Sequence, residues 1–303
     1  MRILGHIHTF NDADVIEQTV AALRRQTVPL DAILIVDNAS TDDTVDRIAS
    51  APVAIIRNSK NLGTSGAVVV GFEYALANGF DWVWLFDADS VPHPDALENL
   101  LKAFHALSPA GREAVCFLAC RVASGAEHPP MIFTESGTPV PADTAQPCSA
   151  CDCALWSGSL YRMEAVRKIG LPQANYFADW GELEYGYRAR ESGFVSYVVQ
   201  DSVLDHDIGG TPGISIRTRR FGPIAFRVFN TSPLRCYYFL RNAIIFWLYQ
   251  NKRRRLRTVL RMLLVCANFV MSFAVHPITR RRQLTACLRG VWDGLTMRLE
   301  RRY

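Results

Sequence analysis

Short apolar runs alternate with helix-length segments through the first third of the chain. Residues 2–8 predict a strand, and residues 11–26 a helix capped at Asn11 or Asp12. Residues 32–36 form an unbroken apolar run, which predicts a buried strand stopping at Asp37. The pattern recurs over 53–56 and over 82–86, where it stops at Asp87. Helical segments at 43–50, 66–78 and 95–107 fall between and after these runs. Such alternation predicts an α/β class with a mainly parallel central sheet and helices on both faces. Ligands of these sheets bind beyond the carboxyl ends of the strands, where Asp37 and Asp87 would both lie.

The middle of the chain reads differently. Residues 108–152 are rich in Pro, Gly, Ala and Ser and predict irregular structure with up to two strands. A strand is expected over 154–161, a helix over 179–191, and a last strand over 194–199 leading to Asp205-His206-Asp207. After Pro212 the composition shifts, which predicts an α/β domain over 1–212 and a helical, basic and aromatic segment over 213–303. Within it, residues 262–275 are apolar apart from Asn268 and Ser272. That run is too short to span a bilayer and is flanked by arginines, so it predicts an interfacial helix. The plainer alternative is a helix packed on the α/β domain.

Charge sharpens this division. The formal net charge of +4 conceals a tail, 251–303, with 13 Lys and Arg against Asp293 and Glu300. The tail is therefore +11 and residues 1–250 are −7. An acidic body with a basic tail points the tail at an anionic surface, nucleic acid or membrane. The eight cysteines are scattered except for Cys148, Cys151 and Cys153, which lack a fourth zinc ligand at matching spacing. No secretory signal is legible at the N-terminus, so free thiols in a reducing cytoplasm are expected.

The strongest local signal is Phe86-Asp87-Ala88-Asp89-Ser90, two carboxylates one residue apart where a buried strand stops. That placement suits a hard divalent cation shared with phosphate oxygens. Alone, it could equally be a pair of turn or N-cap aspartates. It is joined by Asp37-Asn38-Ala39-Ser40-Thr41-Asp42-Asp43-Thr44, by Arg57-Asn58-Ser59-Lys60-Asn61-Leu62-Gly63-Thr64-Ser65-Gly66, and by the acidic stretch Asp179-Trp180-Gly181-Glu182-Leu183-Glu184. Together these resemble family 2 glycosyltransferases of the GT-A fold. With Ser232-Pro233-Leu234-Arg235-Cys236-Tyr237-Tyr238, they are similar to the bacterial rhamnosyltransferase and galactofuranosyltransferase branch. The resemblance spans roughly residues 1–250.

The resemblance implies roles position by position. Asp37 would accept the imide N–H of a uracil or thymine base, with Thr9 and Asn11 nearby. Arg57 and Asn61 would border the nucleotide, and Gly63 to Gly66 would let the backbone approach it. Asp87 would contact ribose or metal, Asp89 would bind the metal, Mg²⁺ or Mn²⁺, and His206 would complete that site. Glu182 would be the catalytic base that takes the acceptor proton. Asp179 is its rival, because Asp179 and Glu182 also have the spacing of a capping box. Trp156, Ser157, Gly158 and Trp180 would form the acceptor floor.

The implied activity is transfer of a sugar, dTDP-rhamnose first and UDP-galactofuranose close behind, to a cell-envelope glycan or lipid-linked acceptor. The enzyme would be inverting and peripheral on the cytoplasmic face of the inner membrane. A dinucleotide-dependent oxidoreductase is disfavoured, because Gly63-Thr64-Ser65-Gly66 follows the third strand rather than the first. A nucleic-acid-binding protein is disfavoured by the apolar interior of the tail.

Overall fold

The computed structural model describes residues 1–124, 129–135, 137–206, 215–221, 224–251 and 281–299, with scattered positions between 260 and 270. The chain divides into two compact units. Met1–Ile132, Pro139–Ala174 and Glu182–Gly210 form the first, and Phe133–Thr138, Asn175–Gly181 and Thr211–Tyr303 the second.

The first unit is built on β1 (Ile3–Thr9), β2 (Ala32–Asp37), β3 (Ala54–Arg57) and β4 (Trp82–Asp87), all parallel, with β1 between β2 and β4. Every residue of β1 is buried, as expected for a strand paired on both edges and covered on both faces. Alternation along β4 divides the core. Trp82, Trp84 and Phe86 pack in one apolar cluster, while Val83 and Leu85 join another. The intervening helices are α1 (Ile16–Arg24), α2 (Thr44–Ile48), α3 (Gly63–Ala77) and α4 (Ala96–Ala106). Helix α3 crosses β1 closely at Gly71, where a Cβ would lie 2.9 Å from the His6 ring. Gly71 therefore serves helix–sheet packing.

Beyond β4 the sheet departs from the expected pattern. The two-residue β5 (Val91–Pro92) and helix α5 (Pro109–Ala114) precede β6 (Val115–Ser124). Next come β7 (Met131–Phe133), β8 (Pro139–Pro141), β9 (Cys148–Cys151) and β10 (Ser159–Arg162). Helices α6 (Met163–Ile169) and α7 (Gly181–Glu191) and strand β11 (Val195–Asp205) follow. The nine-stranded sheet runs β3-β2-β1-β4-β10-β6-β11-β5, with β9 also on β11. Strand β10 is antiparallel to both neighbours, so the sheet is mixed rather than mainly parallel. The ten-residue β6 occupies a stretch expected to be mostly irregular, and the strand expected over 154–161 begins only at Ser159.

In the second unit, β12 (Ser215–Phe221) and β13 (Ile224–Asn230) form a hairpin where helix was expected. Helix α8 (Pro233–Ile245) opens with Pro at its first position and with the Ser232 side chain accepting the Arg235 N–H. It continues into a π-helical turn, Phe246–Gln250. Helix α9 (Arg281–Leu295) packs against α8 at Gly290, where a Cβ would lie 2.5 Å from the Tyr237 carbonyl oxygen. Nearby, the buried Tyr237 hydroxyl donates to Asp293 at 2.8 Å. Among the described residues no helix is long and apolar enough to cross a membrane. Residues 252–257 and most of 262–275, expected to be cationic and interfacial, lie outside the described residues.

Candidate functional site

The first unit brings Asp87, Asp89 and His206 together. One ligand atom from each lies within 4.8 Å of the others. Asp87 ends β4, Asp89 lies in the turn before β5, and His206 follows β11, whose Asp205 pairs with Val91 of β5. That short antiparallel pairing carries a histidine 117 positions downstream to the aspartates. His206 Nε2 is 3.8 Å from Asp87 Oδ2, and Nδ1 is 3.6 Å from Asp89 Oδ1. A cation bound at ~2.1 Å from each donor spaces ligands about 3–4 Å apart, so the trio closes on an ion with small movement. Two carboxylates and an imidazole, all half-buried, form a donor set suited to Mg²⁺ or Mn²⁺.

Two further residues belong to this cluster, and the motifs did not point to them. His8 sits opposite Asp87 in the β1–β4 register, its Nε2 2.5 Å from Asp87 Oδ1. Burial acts to lower the His8 pKa, but the carboxylate of Asp87, aided by Asp12 and Asp89, outweighs it and the net shift is upward. Its strand neighbour His6, stacked on it at 5.8 Å, is shifted well downward, first by burial and then by His8. Ser90, fully buried, lies 2.7 Å from His206 Nδ1. Histidines within an otherwise apolar strand were the available signal for the first pair.

The loops after β1 and β2 interlock. Asp37, fully buried, accepts the Ser40 N–H at 3.1 Å on Oδ1 and the Arg57 Nε at 3.2 Å on Oδ2. Asn11, at φ +60°, accepts the Thr41 N–H at 2.8 Å, and Ala39 takes φ +63°. Non-glycine residues held there mark a backbone that its surroundings constrain. Thr9 donates its hydroxyl to Asp12 at 2.8 Å. Asn61 accepts the Gly63 N–H at 2.7 Å where α3 begins. Gly66 is needed within α3 itself, since a Cβ there would meet Leu62 Cβ at 2.6 Å. Asn38, not expected, ties the loops by accepting from Asn58 at 3.0 Å and donating to the Gly63 carbonyl at 3.3 Å.

Three residues expected in the acceptor floor lie together before β10. Trp156, Ser157 and Gly158 are all buried. Trp156 packs in an aromatic cluster with Tyr161 and Tyr185, at 5.4 and 5.8 Å. Gly158 donates its N–H to Leu85 and accepts Trp84 Nε1, binding the turn to β4. Ser157 accepts the Asp87 N–H at 3.1 Å and donates to Ser90 at 2.7 Å. The group therefore braces the aspartate turn from beneath.

Glu182 is half-buried in the first turn of α7, and Glu184 pairs with Arg188 at 2.5 Å as the i,i+4 spacing predicts. Helix α7 starts at Gly181, and Asp179 stands two residues earlier at φ +59°. In the second unit Phe177, Asp179 and Trp180 all adopt left-handed backbone. The Asn242 amide holds that segment, lying 2.7–3.0 Å from the carbonyls of Tyr176, Ala178 and Asp179. Asp179 Oδ2 and Trp180 Nε1 are shut from solvent without hydrogen-bond partners, and Arg235 stands 3.8 Å from Asp179 Oδ1. Burial raises the Asp179 pKa, and Arg235 offsets part of that rise. Trp180 packs on Phe239 and Phe246.

The eight cysteines are free, and burial pushes the thiols of Cys148, Cys151 and Cys153 upward.

Comparison with known proteins decides the family, since the profile described as "Glycosyl transferase family 2" matches residues 6–170. The chain belongs to glycosyl transferase family 2. This glycosyltransferase is 27% identical over 227 residues to an undecaprenyl-phosphate mannosyltransferase of Micrococcus luteus, covering 73% of the chain and 79% of the relative. It is 26% identical over 217 residues to galactofuranosyltransferase GlfT1 of Mycobacterium tuberculosis, covering 68% and 70%. With dTDP-rhamnosyl transferase RfbF of Shigella flexneri it shares 23% over 226 residues, covering 70% and 69%.

The glycosyltransferase superposes on mannosyltransferase PcManGT of Pyrobaculum calidifontis, in complex with GDP-Man and Mn²⁺, with TM-score 0.56 at 14% identity. That match covers 98% of this chain and 88% of the other. GalNAc-T7, solved with UDP, GalNAc and Mn²⁺, gives TM-score 0.58 at 14% identity over 83% of this chain, which spans about half (49%) of that longer one. These likenesses establish the GT-A fold.

Proposed function

We propose that this glycosyltransferase is an inverting, metal-dependent enzyme that moves a sugar from a nucleoside diphosphate to a hydroxyl of a cell-envelope glycan or lipid-linked acceptor. The observation that carries the reading is the convergence of Asp87, Asp89 and His206 at the sheet edge where β2 and β3 also end, in Asp37 and Arg57. The trio would hold Mg²⁺ or Mn²⁺, which when bound neutralises charge on the departing diphosphate. Asp37 has lone-pair capacity left beyond its two bonds, enough to accept the imide N–H of a uracil or thymine base. Arg57, well exposed beside it, would border the nucleotide. Glu182, with Asp179 as rival, would take the acceptor proton as the anomeric carbon is inverted.

The donor we place first is dTDP-rhamnose, with UDP-galactofuranose as the alternative; the relatives' names include a dTDP-rhamnosyl transferase, a galactofuranosyltransferase and a mannosyltransferase. Membrane association draws support from α9. Its outward residues include Leu288, Trp292 and Leu295, at i, i+4 and i+7, beside Arg281, Arg282 and Arg289. Its one acid, Asp293, is buried on Tyr237. An aromatic and apolar stripe with arginines and no exposed acid beside it suits an anionic headgroup region, on the cytoplasmic face of the inner membrane.

Thermal-shift titration with UDP-, dTDP- and GDP-sugars, each with and without Mn²⁺, tests the reading. A ligand that binds only the folded state raises Tm, so a dTDP- or UDP-sugar should do so and only with metal present. A shift that persists in EDTA, or that appears for GDP-sugars alone, would overturn it.

A further inference from the structure

Between the metal trio and the floor of the sheet runs a buried chain of two hydroxyls. Asp87 donates its N–H to Ser157 Oγ at 3.1 Å, Ser157 donates to Ser90 Oγ at 2.7 Å, and Ser90 Oγ lies 2.7 Å from His206 Nδ1. Ser90 is fully buried and Ser157 nearly so. The chain begins on the backbone of one metal-site residue and ends on the ring of another. It joins three separate stretches, the turn after β4, the turn before β10 and the end of β11.

An imidazole can present a lone pair to a cation through one nitrogen only when the other carries the proton. Which nitrogen does so is decided by the partner of the second. Here Nε2 faces Asp87 Oδ2 at 3.8 Å, while Nδ1, 3.6 Å from Asp89 Oδ1, is engaged more closely by the Ser90 hydroxyl at 2.7 Å. With Nδ1–H donating to Ser90 Oγ, Nε2 keeps its lone pair free to face an ion. If Ser90 instead donates to Nδ1, the proton of the neutral ring sits on Nε2 and that nitrogen is closed to metal. Ser90 Oγ has two lone pairs and can accept from Ser157 and from Nδ1–H together, the sense that suits a cation at Nε2.

We propose that Ser90 and Ser157 are positioning residues that hold the His206 ring and accept its Nδ1 proton when Nε2 ligates the metal, while the same chain holds the Asp87 backbone in register. The proposal rests on the metal-binding reading of Asp87, Asp89 and His206, and it adds two residues whose side chains need not touch ion or substrate. Because the serines tie His206 to Asp87 N–H, loss of either hydroxyl loosens both sides of the site at once.

The test measures Mn²⁺ affinity of the full-length protein directly, by electron paramagnetic resonance of free Mn²⁺, without relying on turnover. Ser90→Ala should weaken Mn²⁺ binding by about 10–100-fold, the usual range for a lost partner of a ligating histidine. Ser157→Ala should weaken it in the same direction. Ser202→Ala is the control. Ser202 is equally buried and bonds the Ala96 carbonyl at 2.8 Å, outside the site, so its loss should lower Tm and leave Mn²⁺ affinity unchanged. Should Ser90→Ala not fold, Ser90→Cys, near in size but a poor hydrogen-bonding partner, carries the same expectation.

Wild-type affinity in folded Ser90→Ala and Ser157→Ala would overturn the relay while leaving the metal site standing. Equal weakening by Ser202→Ala would overturn it as well, reducing the effect to general loosening. Absence of Mn²⁺ and Mg²⁺ binding by the wild-type protein would instead overturn the metal reading itself.

Discussion

Two aspartates of this glycosyltransferase, Asp37 fully buried and Asp179 half-buried, are held in opposite ways. Asp37 ends β2 with both carboxylate oxygens occupied, by a backbone N–H and by Arg57. Asp179 sits in a left-handed stretch with one oxygen unpartnered and one arginine at 3.8 Å. The first arrangement is self-satisfied and stabilises the fold. The second keeps polar atoms dry and backbone strained, and such costs persist where surrounding structure enforces them, most often at working sites. The Asn242 amide gathering three carbonyls is the visible means of enforcement. The contrast keeps Asp179 in contention as a reactive group even though Glu182 is the first choice for the base.

The largest effect expected is at the metal. Asp89→Ala should reduce sugar transfer to background, and EDTA should do the same to wild type in a radiolabelled-donor assay. Undiminished transfer in EDTA would remove the metal from the mechanism. Next in size, Glu182→Gln should lower turnover by about 10²–10⁴-fold with donor affinity and Tm nearly intact. If Asp179→Asn is inactive while Glu182→Gln turns over normally, the base is Asp179 and the assignment moves by three residues. In that event the low-pH limb of kcat/KM lies above the ordinary carboxylate range. Removing the nearby cation with Arg235→Gln should then move that limb further up.

Stability should sharpen the comparison with opposite signs. Burial raises the folded-state pKa of Asp179, so the native state binds its proton more tightly than the unfolded chain. Stability is therefore lost as pH rises from the unfolded value through the folded one. Asp179→Asn should raise Tm at pH 7 and change it little at the acid end, as differential scanning calorimetry would show. Asp37→Asn should do the reverse at neutral pH, costing about 1–2 kcal/mol through weakened bonds to Ser40 and Arg57.

The smallest effect concerns lipid. Each near-surface arginine contributes ~1 kcal/mol toward an anionic bilayer, about fivefold in affinity. Arg289→Gln should weaken binding to anionic vesicles by that factor, and Trp292→Ser should weaken it further. Equal flotation with neutral vesicles would remove the electrostatic part of the claim.

Strands β1, β2 and β4 were legible because each is a continuous apolar run, and β2 and β4 stop at aspartates that the fold places at their carboxyl ends. Strand β6 was not legible. It follows a Pro-, Gly- and Ala-bearing stretch whose composition dominated the reading, and its central place depends on pairing with β10 and β11 from far along the chain. The metal trio could be named from motif order, but His8 and Ser90 could not, since their roles arise from strand register and a turn. The left-handed backbone at 177, 179 and 180, just ahead of α7, leaves no trace in residue type. The hairpin over 215–230 replaced expected helix, its paired strands lying in a segment judged by charge and aromatic content.

Strand β11 pairs with β6 through register shifts, one of them between Val199 and Val203, before Asp205 meets Val91 and the chain presents His206. Side chains of a strand alternate faces. A further shift against β6 falls between Leu204 and Asp205, so it is the regular pairing of Leu204 and Asp205 with Pro92 and Val91 that carries a parity to His206. Adding or deleting one residue there would turn the imidazole to the opposite side of the sheet, while a change of two would bring it back. Among homologous chains, length variation in this stretch is thus expected in even steps, whatever the identity of the residues gained or lost.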